Sequence, residues 1–293
     1  MVWFSSQIPS VEFYYNTVRR EVNIDEVPIA TKIWGGQGRI GATAAIAWDK
    51  MQVTYEAIAW RTAINTGNEK IRKIDVKRLE EIDKMEHTFM SRDSRTGNSM
   101  IAPRGPCPVL FGLRARNYIV AKEAAMHLLN SEFTEEYSGV RVFTTNQASD
   151  DHLGENLTDV VMDIEVLSRG TVVINCNQNK LLAFSESGEI KLLAQGLKNG
   201  DVISFNGLIN DEGVYHLERL RVEKSSKQKI RPLCEKCNVK MKSMGKNQPV
   251  RCPKCREKSD QLWTEVSRTP PMTGWVQAPM DSRRHLTKPL EWS

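Results

Sequence analysis

The sequence predicts an α+β chain of several units: a mixed α/β part, a small β-barrel, a metal-held ribbon and an extended C-terminal tail. Three observations carry this reading. Helix-period and strand-period segments alternate as far as residue 154. From residue 156, short apolar runs recur with turn residues roughly every ten positions. Two Cys-x-x-Cys pairs then stand fourteen residues apart in a lysine-rich stretch.

The 293 residues suffice for two or three domains at about 100–200 residues each. Hydrophobic residues at 40% and charged residues at 26% exclude a disordered or fibrous chain. No apolar run approaches the ~18–20 residues of a membrane helix, and the longest, 40–48, is broken by Gly41 and Thr43. The start, MVWFSSQIPS, has neither a basic leader nor a long apolar segment, so the expected location is the cytoplasm, with no membrane partner.

Val11, Tyr14, Tyr15, Val18 and Val22 fall at helical spacing behind Pro9 and Ser10, which predicts an amphipathic helix. A glycine-rich turn, GGQGRIG, leads into the alanine-rich helix ATAAIAW. TYEAIAWR at 54–61 suits a strand or a short helix equally. A charged helix over 76–86, a strand over 109–113, a helix over 117–130 and a strand over 140–144 complete an α/β unit, 1–154. The runs VVMDIEVL, GTVVINC, KLLAFSE, IKLLA, DVISFNGLI and VYHLERLRV read as barrel strands. A five-stranded OB-type barrel over 155–224 accommodates them best. SSKQK then reads as a linker into a ribbon unit, 225–262, and 263–293 as a Pro- and Trp-rich tail.

The net charge of +5 is mild, but between residues 219 and 258 fourteen Lys/Arg face only Glu223, Glu235 and Glu257. Six cysteines in a chain without an export signal argue for metal rather than disulfides. Cys234, Cys237, Cys252 and Cys255 have the spacing of a closed, structural four-thiolate zinc site. Displayed on that rigid knuckle, Arg231, Lys240, Lys242, Lys246, Arg251, Lys254 and Arg256 suit phosphate neutralisation; a merely solvated basic face is the alternative.

Gly36-x-Gly38-x-x-Gly41 matches a dinucleotide fingerprint, yet Asp49 and Glu56 are poorly placed for the ribose acid, and no Gly-Lys-Ser/Thr follows. What survives is an anion-binding turn at a helix start, formed by Gly38 and Gly41 with Arg39, or an unliganded packing turn. The proline-dense loop 92–114, with Asp93, Gly105 and Arg114, reads as a preformed pocket wall or as a rigid connection. Asp150, Asp151 and His152 read as a helix or turn boundary. No residue stands out as a catalytic acid, base or nucleophile.

At these residues the chain resembles the archaeal agmatinylcytidine synthetases, which modify the wobble cytidine of an isoleucine tRNA. The similar segments are GRIGATAAIAW at 38–48, TYEAIAWR at 54–61, GPCPVLFGLR at 105–114, VFTTNQASDDHL at 142–153, GTVVINC at 170–176, the two cysteine pairs and SRRHLTKPL at 282–290. The resemblance implies a ferredoxin-like α/β part, an OB domain and a zinc ribbon. It also implies an ATP- and magnesium-dependent ligase in which the cytosine C2 oxygen is phosphorylated and then displaced by agmatine. Gly38, Arg39 and Gly41 would line the phosphate side, and Asp93 with neighbouring carbonyls would receive agmatine. Arg283, Arg284, His285 and Lys288 in the tail would touch tRNA.

Family members begin with an aspartate-rich kinase segment, and no such run occurs at 1–10. The chain is therefore expected to be the tRNA- and agmatine-handling portion, inactive alone and either completed by a separately encoded kinase portion or a truncated gene product. The alternative is a non-catalytic RNA- or single-stranded-DNA-binding protein.

Overall fold

The computed structural model describes residues 2–4, 9–22, 27, 32–34, 38–62, 71–93, 95–246 and 248–292. The chain divides into two compact units, Met1–Gly154 with Pro279–Ser293, and Glu155–Ala278.

In the first unit, β1 (Val2–Phe4) pairs with β2 (Lys32–Trp34), and α1 (Val11–Arg19) packs on α2 (Arg39–Ala47). Ser10 caps α1 by accepting the Phe13 N–H at 3.1 Å, satisfying a donor that the first helical turn leaves open. The ambiguous segment resolves as strand β3 (Thr54–Arg61) because its side chains alternate between a buried and a half-exposed face. With β4 (Thr88–Phe89), β5 (Val109–Ala115) and β6 (Tyr137–Thr145) it forms an antiparallel sheet of order β4-β5-β3-β6. Helices α3 (Val76–Asp83) and α4 (Tyr118–Leu129) share a core with its buried face. Ala57 and Ala59 on β3 meet Ala121, Ala124 and Ala125 on α4, all fully buried. Small side chains on both surfaces bring helix and sheet backbones close, so any enlargement there would overpack the core.

The second unit contains β7 (Leu157–Val166), β8 (Val172–Cys176), β9 (Lys180–Ala183), α5 (Glu189–Gly196), β10 (Val202–Ile209) and β11 (Val214–Lys224). Hydrogen bonding runs β10-β7-β8-β9-β11, and β11 returns to β10, so the five strands close into a barrel. Closure removes the unpaired edges that an open sheet would expose. At the bulge beside Asn206 the β11 backbone runs so close to Gly207 that a Cβ would lie 2.1 Å from the His216 carbonyl oxygen.

Three expectations change. IKLLA is not a strand but lies in α5, because Ile190, Leu193 and Ala194 repeat at helical spacing and all bury into the barrel core. SSKQK is not a linker: β12 (Lys227–Ile230) pairs with β16 (Thr264–Ser267) on either side of a small sheet of β13 (Lys242–Ser243), β14 (Val250–Arg251) and β15 (Lys258–Ser259). Residues 263–293, expected as an extended tail, pack as strands and a strap. After β16 they add β17 (Val276–Gln277) to β11, and from Pro279 they form a strap within the first unit. There Ala148 and Asp150 donate their N–H groups to the His285 and Leu286 carbonyls at 2.8 and 2.9 Å, and Trp292 packs edge-on against Phe89. No helix of the described residues is long and apolar enough to cross a membrane.

Asp201 anchors the second unit. Fully buried, it accepts N–H bonds from Lys198 at 2.8 Å and Ser226 at 2.7 Å and pairs with the Arg268 guanidinium. Burial alone would raise its carboxyl pKa, but the Ser226 N–H, Arg268 and the Lys198 N–H outweigh burial and hold it below the usual range. Such a group stabilises the fold above its unfolded pKa, and that contribution fades as pH falls through the lower folded value. Asp201→Ala should therefore cost roughly 3–5 kcal/mol at pH 7 by leaving a charge unpaired. In urea denaturation the gap between variant and parent should narrow below about pH 4, and an equal gap at pH 7 and pH 3 would contradict the assignment.

Candidate metal centre and substrate cavity

Each Cys-x-x-Cys pair sits in the same backbone turn. Asn238 donates its N–H to the Cys234 carbonyl at 2.8 Å, and Arg256 to the Cys252 carbonyl at 3.0 Å. Both closing residues adopt left-handed φ, 49° and 65°. These turns aim the sulfurs of Cys234, Cys237, Cys252 and Cys255 at one centre, all within 4.8 Å of one another. Zn–S bonds of about 2.3 Å place tetrahedral sulfurs about 3.8 Å apart, so the donor set fits a closed zinc shell. The N–H groups of Cys255 and Lys254 hold the Cys252 thiol down to about 6, while hydrogen bonding to Cys255 pushes Cys237 up to about 12. Among the described residues only Cys234, Met241, Val250 and Cys252 form the buried cluster here, too little to fold unaided, whereas zinc binding in comparable small units supplies ~10–16 kcal/mol.

Around this centre Lys240, Lys242, Lys246, Arg251, Lys254 and Arg256 are all exposed. Arg231 is different: half-buried, it donates to the Leu262 carbonyl at 2.8 Å and stacks over Trp263.

The first unit holds a polar cavity of about 290 Å³. The loop after β4 contributes Asp93, Asn98 and Arg104, and the C-terminal strap contributes Asp281, Arg283 and His285. Arg95 and Asp281, paired at 2.5 Å, link loop to strap. Asp93 lines the cavity but also braces its own turn, accepting the Arg95 N–H at 3.0 Å and the Thr96 hydroxyl at 2.8 Å. Those bonds hold its carboxyl below the usual range. Desolvation and the Arg114 charge hold His285 below the ordinary imidazole range. Arg114 is buried beside Glu56 at 3.4 Å, and Glu56 accepts from Gln147 at 2.8 Å. Gly105 is exposed, and its carbonyl accepts from Arg72 at 2.8 Å.

Gly38 opens α2 with φ 107° and no side-chain cap. Gly41 lines a second, less polar cavity of about 370 Å³ with Tyr14, Trp48 and Gln147. Gly36 and the Arg39 side chain lie outside the described residues. Asp150, Asp151 and His152 form a turn and do not converge: Asp150 accepts the Lys288 N–H at 2.7 Å, Asp151 accepts the Tyr14 hydroxyl, and His152 is buried near Thr287. Arg284 and Lys288 are half-buried in the strap. The strap's part in the cavity was not legible in the sequence, although the compact SRRHLTKPL segment was the available signal.

Residues 36–152 match the TiaS FLD domain, and residues 231–269 match the TiaS C-terminal zinc ribbon domain. A TiaS of Methanocorpusculum labreanum, a 2-agmatinylcytidine synthetase for an isoleucine tRNA, is 30% identical, the alignment covering 96% of this chain and 72% of the relative. The chain belongs to the TiaS family. Relatives from Methanopyrus kandleri and Methanocaldococcus jannaschii are 29% and 31% identical, over 94% and 87% of this chain. The chain spans 64–72% of the length of these three relatives. Its fold is similar to crystal structures of apo TiaS and of TiaS in complex with its isoleucine tRNA and ATP, with TM-scores of 0.78 and 0.76 at 25% identity, covering 96% of this chain and 73% and 72% of theirs. The TiaS FLD match takes in α2, the four-stranded sheet and the loop side of the polar cavity. The TiaS zinc ribbon match takes in all four cysteines and β16.

The intact chain is expected to carry one zinc per polypeptide by elemental analysis. Cys234→Ser should lose it and raise amide hydrogen exchange across 231–267 while barrel amides at 157–222 stay protected. A metal-free variant with 231–267 still protected would refute the zinc assignment.

Proposed function

We propose that this chain is the tRNA- and agmatine-handling part of an ATP-dependent ligase that joins agmatine to C2 of the wobble cytidine of isoleucine tRNA. The observation that carries the reading is the TiaS FLD and zinc ribbon pair in one chain, on a fold similar to that of TiaS bound to isoleucine tRNA and ATP. The four-stranded antiparallel sheet with two helices on one face supports a ferredoxin-like first unit. The closed five-stranded barrel supports an OB fold in the second.

In this reaction the cytosine leaves its loop stack to become reachable. A phosphoryl group from ATP, which acts with magnesium, is placed on its C2 oxygen. The primary amine of agmatine attacks C2, and phosphate departs with the former carbonyl oxygen. Phosphoryl transfer gains chiefly from positioning and charge neutralisation. A kinase portion, in the same polypeptide or a separate one, delivers the phosphoryl group. Uncapped N–H groups at Gly38 through Gly41, with Arg39, hold phosphate at the α2 N-terminus. In the polar cavity Asp93 and Asp281 form the anionic side that meets dicationic agmatine, because each Asp93 oxygen retains acceptor capacity beyond its turn bonds. Arg104, Arg283 and His285 form the side that meets RNA. Arg114 supports the cavity from behind, with Arg284 and Lys288 fixing the strap. Arg231, Lys240, Lys242, Lys246, Arg251, Lys254 and Arg256 take the tRNA backbone.

Radiolabelled agmatine, ATP and isoleucine tRNA should give ATP-dependent incorporation once the remaining length of the relatives is supplied. Binding without incorporation in every combination would favour a non-catalytic RNA-binding protein. Reversing Lys240, Lys242 and Lys246 to Glu should weaken tRNA binding and reduce the salt slope by about one per lysine. An unchanged slope would remove the knuckle from the interface.

A further inference from the structure

Strands β12 and β16 form a two-stranded ribbon between the barrel and the cysteine cluster. Their register pairs Lys227 with Ser267, Lys229 with Glu265 and Ile230 with Thr264, which sets Arg231 opposite Trp263. Successive strand side chains point to opposite faces, and burial follows this alternation along β16, whereas on β12 Gln228 of the opposite face is exposed as well. Ile230, Thr264 and Val266 are half-buried, whereas Lys227, Lys229, Trp263, Glu265 and Ser267 are exposed. The face shared with Trp263, Glu265 and Ser267 therefore carries the exposed Lys227 and Lys229 and the half-buried Arg231 at two-residue intervals, about 6.6–6.8 Å apart. Glu265 is the opposing carboxylate, 3.7 Å from Lys227. At the end of this ladder the Arg231 guanidinium lies 3.8 Å from the Trp263 ring centroid, fixed by its bond to the Leu262 carbonyl. Trp263 is nevertheless 48% exposed. One side of the indole is thus supported by a cation while much of the ring faces solvent.

We propose that this face is a clamp for single-stranded RNA, in which one nucleobase stacks on the open side of Trp263 and the adjoining phosphates run along Lys229 and Lys227. The inference rests on the tRNA-handling reading and adds a surface distinct from the knuckle lysines. Stacking suits an RNA whose sequence is not read at this point, because every base presents a π-face. A guanidinium already seated on the indole fixes the ring before RNA arrives, so less side-chain freedom is lost on binding. The excess of cations over Glu265 complements a phosphate backbone and makes its share of the affinity salt-dependent.

The test is fluorescence anisotropy of a labelled oligouridine and of isoleucine tRNA on the full chain, with zinc content matched between variants. Trp263→Ala should lose roughly 5- to 160-fold in affinity with an unchanged salt slope. Trp263→Phe should retain most of the affinity, and Lys227→Glu with Lys229→Glu should lower the slope by about two. An abasic oligomer should bind the parent and Trp263→Ala alike. Equal affinity of Trp263→Ala and the parent for oligouridine and tRNA would overturn the clamp. So would a Trp263→Ala deficit that persists on the abasic oligomer, which would make the ring a brace, or competition by polyglutamate as strong as by oligouridine, which would assign the face to an acidic protein. A parent chain that binds no RNA at any salt would overturn both the clamp and the tRNA-handling reading, whereas RNA binding untouched by Trp263→Ala overturns the clamp alone.

Discussion

Convergence of four cysteine sulfurs on one centre gives residues 231–259 a fixed shape, since beyond two of those cysteines the buried cluster there holds only Met241 and Val250 among the described residues. Zinc replaces a hydrophobic core that a segment of this size cannot assemble. The consequence reaches past the knuckle. β12 and β16 enter and leave the cluster side by side, so a fixed cluster sets their register, and the register sets Arg231 against Trp263. Beyond β16, Arg268 reaches the buried Asp201 carboxylate, which also holds the Lys198 and Ser226 N–H groups. Such a frame presents its cationic side chains as an array rather than as independent flexible charges.

The first unit solves a different problem. Its polar cavity is bounded by two segments nearly two hundred positions apart in sequence, the loop around Asp93 and the strap around His285. Each is fixed by its own hydrogen bonds: Asp93 through the turn it caps, and the strap through Ala148, Asp150 and the packing of Trp292 on Phe89. A cavity walled in this way is ordered before a ligand arrives, which suits chemistry that depends on positioning.

Local chemistry was the part of this molecule legible in its sequence. The cysteine spacing, the Ser10 start of α1 and the apolar periodicity of α4 are each written in a short run of sequence, and each appears as read. Long-range pairing was not legible. SSKQK has the composition of a linker and becomes a strand only because residues 264–267, some forty positions later, lie beside it. IKLLA is too short for its period to decide between helix and strand, and the barrel interior decides for helix by burying Ile190, Leu193 and Ala194. At the site, Asp93 was visible as a carboxylate in a turn cluster, but its bonds to Arg95 and Thr96 were not. Arg114 offered no hint in sequence of its burial against Glu56.

In the proposed function a metal-braced ribbon carries the grip on tRNA. Its most direct test is tRNA affinity measured on the zinc-loaded chain and again after chelation, with barrel amide protection followed in parallel. Affinity and its salt dependence should fall together on zinc removal while the barrel stays protected, and both should return when zinc is restored. Undiminished tRNA binding by the zinc-free chain would contradict it.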